Sequence, residues 1–398
     1  MPDPVESHEI RPQAGRFRWV RRVGSAAWQG ALFGAAFLGT ARLLDRWMPP
    51  LEVPVIDEKL AYFADHRDGF DTLFLGSSHT YSQLFPVIFD EVTKRAGMPT
   101  KTFNFGIDGL FPPEDGYVAE KLFALRPKNL RRVFIEISFF RNGWVGMEPD
   151  SVRALHWHDD KRVALAWHDA FSKYHPPKPA SKPKPFRWKD RRKHWENWRK
   201  TFRRWWTDAS HGNYGTSLEA RLTNMLTHLR IYARRTMNAG RGTDFLARLG
   251  RGTQRVFDWN VLGKDGTGVR VPPSREKIPE PPLDLFDRRL AEVSAKPVPL
   301  SPMHPALAEN LRGIVALVRG VGAEPILFIA PDVTPCRSYL PDEPNLPLFD
   351  FTEVAKWPHL FRREGRLDSS HLDLNAARVF TNDFAQMFID YERGKARP

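Results

Sequence analysis

The chain has 398 residues, a formal net charge of +13, and 41% hydrophobic residues, with aromatics at 12% of all positions. That is too apolar and too aromatic for a disordered chain, and long enough for one large or two ordinary domains. Cys336 is the only cysteine, which excludes an intramolecular disulfide framework and a cysteine-cluster metal site. Nor is the charge spread along the chain. Between Lys173 and Trp206 stand thirteen Lys and Arg against only Asp190 and Glu196, so nearly all of the surplus belongs to one segment. A nucleic-acid-binding fold is therefore not required by the net charge.

Residues 1–15 are polar, and Arg16, Arg18, Arg21 and Arg22 complete a basic tail over 1–22. Val23–Ala41 then runs nineteen residues without a charge. Roughly 20 apolar residues span a bilayer core, so the segment is just long enough for a transmembrane anchor. The preceding arginines place its N-terminus inside. The chain after Trp47 is then expected outside a bacterial cytoplasmic membrane, in the periplasm or beyond. Two other readings remain open. Gly39-Thr40-Ala41 suits a cleaved signal peptide, and the segment also suits a buried helix of a soluble domain. Gly30 and Gly34 have the spacing of a close-packed helix pair.

After Pro49, Pro50 and Pro54, read as a stiff exit from the membrane, the run Asp71-Thr-Leu-Phe-Leu-Gly-Ser-Ser78 predicts a buried strand and a tight turn. A helix is predicted over Gln83–Ala96, a strand over Lys101–Ile107, a helix over Tyr117–Leu125 and a strand over Arg132–Ser138. This alternation implies βαβ units and a parallel sheet. It breaks over 143–304, where Pro-rich spacers, the basic Trp-rich run and an amphipathic helix near Ser217–Met237 form a long insert. It resumes over 305–398 with a helix (Pro305–Val321), a strand (Glu324–Ala330), a short strand (Leu348–Val354) and a final helix (Leu374–Tyr391). One α/β domain, 55–142 and 305–398, is thus interrupted by an insert.

Three short motifs fall where an open parallel sheet places ligands, at the carboxyl ends of strands. Gly76-Ser77-Ser78-His79-Thr80 follows the first strand, where a serine on a tight turn exposes its hydroxyl and offers its N–H to an oxyanion. Asn104-Phe-Gly-Ile-Asp-Gly109 follows the second, and its glycine allows close backbone approach. Asp368-Ser-Ser-His371 precedes the last helix, where the aspartate can orient the imidazole that takes the serine proton. Each also has a plainer reading: Ser78 and Gly109 as turn residues, Asp368 as a helix cap and His371 as a surface side chain. His79 reads as a neighbour of the site. No His/Cys/Glu cluster has metal-ligand spacing, no phosphate loop is present, and no cofactor is expected.

Taken in order, these motifs resemble the SGNH (GDSL-type) hydrolase superfamily over residues 70–142 and 305–391. The resemblance implies a three-layer, flavodoxin-like parallel sheet, Ser78 as nucleophile with Ser77 in place of the family's Asp, Gly109 as an oxyanion donor, and His371 as the base that Asp368 orients. The family's third block departs. Its Asn falls near Phe140, leaving Asn142 or Arg141 as the candidate second oxyanion donor. The departures are similar to the membrane-anchored branch that modifies extracellular polymers, such as the alginate O-acetylation and teichoic-acid D-alanylation proteins. That likeness implies an esterase or acyltransferase acting on an acyl-bearing glycan beside a membrane-bound acyltransferase. A non-catalytic scaffold or glycan-binding protein is the alternative.

In the insert, Trp195, Trp198, Phe202 and Trp205 recur at helical spacing, flanked by Arg191, Lys193, Lys200, Arg203 and Arg204. Tryptophans and cations on one helix suit membrane lipid or an anionic glycan, and the stripe suits packing on the core equally. Nucleic acid is not expected as a partner for an external protein.

Overall fold

The computed structural model describes residues 14–47, 53–138, 152–171, 218–236, 265–266, 283–333 and 337–395. Helix α1 (Ala14–Trp47) leads into α2 (Pro54–His66), then β1 (Thr72–Gly76), α3 (Ser78–Gln83), α4 (Pro86–Arg95), β2 (Thr102–Gly106), α5 (Glu114–Ala124) and β3 (Arg132–Glu136). The described part of the insert holds α6 (Val152–Trp157), α7 (Asp160–Phe171), α8 (Leu218–Thr236) and α9 (Asp284–Ala295). The chain then forms β4 (Ser301–Pro302), α10 (Pro305–Gly320), β5 (Glu324–Ile329), β6 (Ser338–Tyr339), β7 (Leu348–Asp350) and α11 (Leu374–Lys395).

Five strands make one sheet in the order β2-β1-β3-β5-β7, every neighbouring pair parallel. β4 and β6 form a separate two-stranded ribbon. Parallel strands covered by helices on both faces must be apolar on both, and these are. Leu73, Leu75, Val133, Ile135, Leu327 and Ile329 face a largely aliphatic core with Ile56 and Phe63 of α2, Val118 and Leu122 of α5, and Leu311 and Ile314 of α10. The alternate residues Phe74, Phe134, Ile326 and Phe328 face a phenylalanine-rich core with Phe89 of α4, Phe286 of α9, and Phe380, Phe384 and Phe388 of α11. Phe134 meets Phe384 edge-on with ring centroids 5.0 Å apart, a favoured aromatic geometry. The strand order reverses between β1 and β3, which creates a crevice at their carboxyl ends.

The expected transmembrane helix finds no support: among the described residues no helix is long and apolar enough to cross a membrane. Val23–Ala41 is helical within α1, but Gln29 and the four glycines at 24, 30, 34 and 39 dilute its apolar character. Trp28, Leu32, Phe33 and Phe37 are nonetheless solvent-exposed. Helix α2 was not expected, because Pro54 reads as a spacer. It stands in the first turn of the helix, where a missing N–H costs nothing. The turn predicted after β1 is instead the abrupt start of α3, and α4 begins only at Pro86 because Leu84 and Phe85 are extended.

Candidate active site

Two glycines let α3 press against the end of the sheet. A Cβ on Gly76 would lie 2.1 Å from Thr80 Oγ1 and 2.5 Å from Glu136 Cβ, and one on Gly106 would lie 2.3 Å from the Tyr81 backbone nitrogen. This contact puts Ser78, at the first position of α3, directly at the crevice. The Asn104 side chain secures it by donating to the carbonyls of Thr80 and Leu84, at 2.7 and 2.8 Å. Lys59 of α2 secures the adjoining strand end, donating to the carbonyls of Asn104 and Gly106 at 3.1 and 2.6 Å. Burial drives that lysine well below its ordinary pKa, while the charge of Asp265 pulls it back up.

Ser78 and His371, 293 positions apart in the chain, meet at 2.8 Å between Oγ and Nε2. The other imidazole nitrogen of His371 contacts both carboxylate oxygens of Asp368, at 2.9 and 2.8 Å. Because the carboxylate accepts, Nδ1 carries the proton and Nε2 turns its lone pair toward the serine hydroxyl. Asp368 also accepts from the backbone N–H groups of Ser370 and His371, each at 2.8 Å. Burial would raise its pKa, but the bond and charge of His371 and those two N–H groups hold it well below the usual carboxylate range. The three side chains that the motifs single out thus form one hydrogen-bonded chain.

Gly109 lies in the turn that leaves β2, next to Ile107, whose N–H bonds the Gly76 carbonyl at 2.9 Å. Its φ of +64° is the left-handed conformation that favours glycine, and a Cβ there would meet only Arg153 and Phe111, each at an ordinary contact distance of 3.8 Å. Arg153 of α6 braces this turn. It donates to the Asp108 carbonyl at 2.6 Å while gripping Glu114 with two nitrogens at 2.7 and 2.9 Å. The insert therefore contributes a residue beside the predicted oxyanion turn. Phe140, Arg141 and Asn142 lie outside the described residues, as do Cys336 and the predicted surface residues Arg191, Lys193, Trp195, Trp198, Lys200 and Arg203.

Sequence reasoning missed Glu136, at the carboxyl end of β3. Its carboxylate accepts from the Ser77 N–H at 2.7 Å, the Ser77 hydroxyl at 2.9 Å, the Thr80 N–H at 3.3 Å and the Thr80 hydroxyl at 2.7 Å. His79 Nδ1 adds a fifth contact at 3.1 Å. Burial would raise the pKa of Glu136, but His79's hydrogen bond and charge, with the hydrogen bonds of Thr80 and Ser77, hold it down to about 2. The sequence offered no local signal for it beyond an acid at the carboxyl end of a strand. His79, read as a bystander, is fully buried and contacts the Ser370 carbonyl through Nε2 at 3.0 Å.

Among the described residues, no group of three or more His, Cys, Asp or Glu side chains could hold a metal ion. Compared with known proteins, the chain matches no family model, no curated protein and no solved structure.

Proposed function

We propose that this chain is a serine esterase or O-acyltransferase of the SGNH type, acting on ester bonds of a cell-envelope or extracellular polysaccharide. The observation that carries the reading is the continuous hydrogen-bond chain from Asp368 through His371 to Ser78, set at the switch point of a parallel sheet. In this mechanism His371 Nε2 takes the Ser78 proton as Oγ attacks the ester carbonyl carbon. The N–H groups of Ser78 and Gly109 hold the oxyanion. His371 returns the proton to the departing alcohol, leaving an acyl group on Ser78. A sugar hydroxyl or water, deprotonated by the same imidazole, then accepts the acyl group.

Membrane association belongs to the same proposal. The exposed Trp28, Leu32, Phe33 and Phe37 of α1 follow a cluster of arginines, a combination suited to lipid and anionic headgroups. It would hold the domain beside a membrane-bound acyltransferase and an acyl donor on the outer side of a bacterial inner membrane. Recovery of the protein in carbonate-washed membranes, with the domain open to external protease, supports this placement. A soluble, shortened chain contradicts it.

A fluorophosphonate probe tests the chemistry. Covalent labelling that vanishes in Ser78→Ala supports the enzyme. Well-folded protein that takes no probe supports instead a non-catalytic scaffold or glycan-binding protein.

A further inference from the structure

The loop that carries Asp368 and His371 is fastened at two places. At its start the buried Arg366 guanidinium donates to the carbonyls of Pro331 and Leu360, at 3.2 and 2.7 Å. Nearer its tip, His79 reaches from α3 to the carbonyl of Ser370, the residue immediately before His371. The protonation of His79 follows from its partners. A carbonyl oxygen only accepts, so Nε2 carries a hydrogen. Glu136 receives four donors from Ser77 and Thr80, the environment of an ionised carboxylate, so Nδ1 facing it carries a hydrogen too. An imidazole with both nitrogens donating is a cation.

We propose that His79 is a positioning residue for this site: an imidazolium that is pinned by Glu136, holds the Ser370 carbonyl, and thereby seats Asp368 and His371 against Ser78. The inference rests on the reading of Ser78 as a nucleophile and adds to it a proton that takes no part in the chemistry. The groups around His79 agree with a cation there. Glu136 faces it from β3 and Asp332 from the segment after β5. On the loop itself lie Asp368 and His371, whose ring centroid is 5.2 Å from that of His79. Ser370 links loop and sheet a second time, its hydroxyl reaching Asp332 at 3.4 Å. Arg366, a strong cation at the start of the same loop, is set against Asp332 and Asp368. Burial works against the charge on His79, and the carboxylate of Glu136 outweighs it, so the pKa lies above the ordinary 6.5. The proton therefore leaves at a higher pH than that of an ordinary imidazole.

The test is a nuclear magnetic resonance and labelling experiment on the full chain with isotope-labelled histidine. At neutral pH one imidazole should have both nitrogens protonated, and this signature should vanish in His79→Gln. In that variant the low-field proton between His371 and Asp368 should broaden, and fluorophosphonate labelling of Ser78 should slow about 10²-fold, the scale of a 1 Å misplacement. Raising the pH of the wild-type protein until His79 loses its proton should have the same two effects. Glu136→Gln should bring that alkaline fall to lower pH, because the carboxylate that favours the cation is gone. A purely structural histidine would lower the melting temperature without moving the alkaline limb. The proposal is overturned by a neutral His79 at neutral pH, or by a sharp His371 signal and unchanged labelling in His79→Gln. If that variant does not fold, the wild-type titration and Glu136→Gln decide. If wild-type protein takes no probe, the nucleophile reading fails, and the His371 proton alone reports whether His79 seats the loop.

Discussion

Two pairs of imidazoles lie at nearly the same separation in different parts of the molecule. His79 and His371 are 5.2 Å apart between ring centroids at the carboxyl end of the sheet. His158 and His228 are 4.9 Å apart among the helices of the insert. His79, His158 and His228 are all fully buried. In the insert, His158 Nδ1 donates to the Ala154 carbonyl at 2.6 Å, so its bare Nε2 accepts from His228 Nδ1 at 2.9 Å. Among the described residues no carboxylate joins them, and His228 Nε2 is buried without a hydrogen-bond partner. Burial pushes His228 down to about 3, and burial together with the neighbouring His228 puts His158 well below 6.5. At the sheet end, burial acts in the same direction on His79 and loses to Glu136. Burial alone makes an imidazole a neutral packing group, and an ionised carboxylate at hydrogen-bond distance makes it a cation.

The largest effect should come from removing the charge that orients His371. Asp368→Asn should lower ester turnover about 10⁴-fold by favouring the wrong tautomer, with little change in melting temperature because Asn retains the shape. Turnover within tenfold of wild type would detach Asp368 from the chemistry. Next is Glu136→Ala, which strands five donors, one of them the buried cation His79. It should destabilise the protein by about 3–5 kcal/mol, the scale of breaking one side of a buried ion pair, measured by denaturant unfolding at neutral pH. A loss below about 1 kcal/mol, on the scale of an exposed ion pair, would mean that Glu136 is not a hub.

Acid should separate the two pairs. His228 binds its proton near 6.5 when unfolded and near 3 when folded, so its contribution to stability falls as pH drops from 6.5 toward 3. Glu136, at about 2 against an ordinary 4.5, stabilises above 4.5 and loses that contribution only as pH falls toward 2. His79 has the opposite sign, its contribution being complete below 6.5 and lost as pH rises through its elevated folded value. Amide exchange in α6 and α8 should therefore quicken at mildly acidic pH while the ends of β1 and β3 stay protected. The reverse order would break the comparison. The smallest effect is expected at Gly109→Ala, where a left-handed residue gains a Cβ that meets its neighbours only at ordinary contact distance. The strain should cost about 1 kcal/mol, and an unchanged unfolding midpoint would show that the turn adapts.

The strands β1, β2, β3 and β5 were legible because burial on both faces leaves short apolar runs that stand out locally. The motif residues Ser78, Asp368 and His371 were legible for a related reason: each sits in a compact cluster of small and polar residues that interrupts an apolar rhythm. Glu136 was not legible, since its partners Ser77, His79 and Thr80 lie 56–59 positions away and nothing local distinguishes it from a strand-end surface acid. Lys59 was hidden in the same way, in a helix whose opening proline suggested a spacer. The expected membrane-crossing helix rested on length and lack of charge, and among the described residues no helix is long and apolar enough to add support to it.

The most direct test of the account is to trap the covalent intermediate. Full-length protein mixed with a small aryl ester, quenched in acid and digested, should carry one acyl group on the peptide containing Ser78, and His371→Ala should accumulate far less of it. Acyl groups absent from that peptide, or present to the same extent in Ser78→Ala, would contradict the assignment of Ser78 as the nucleophile.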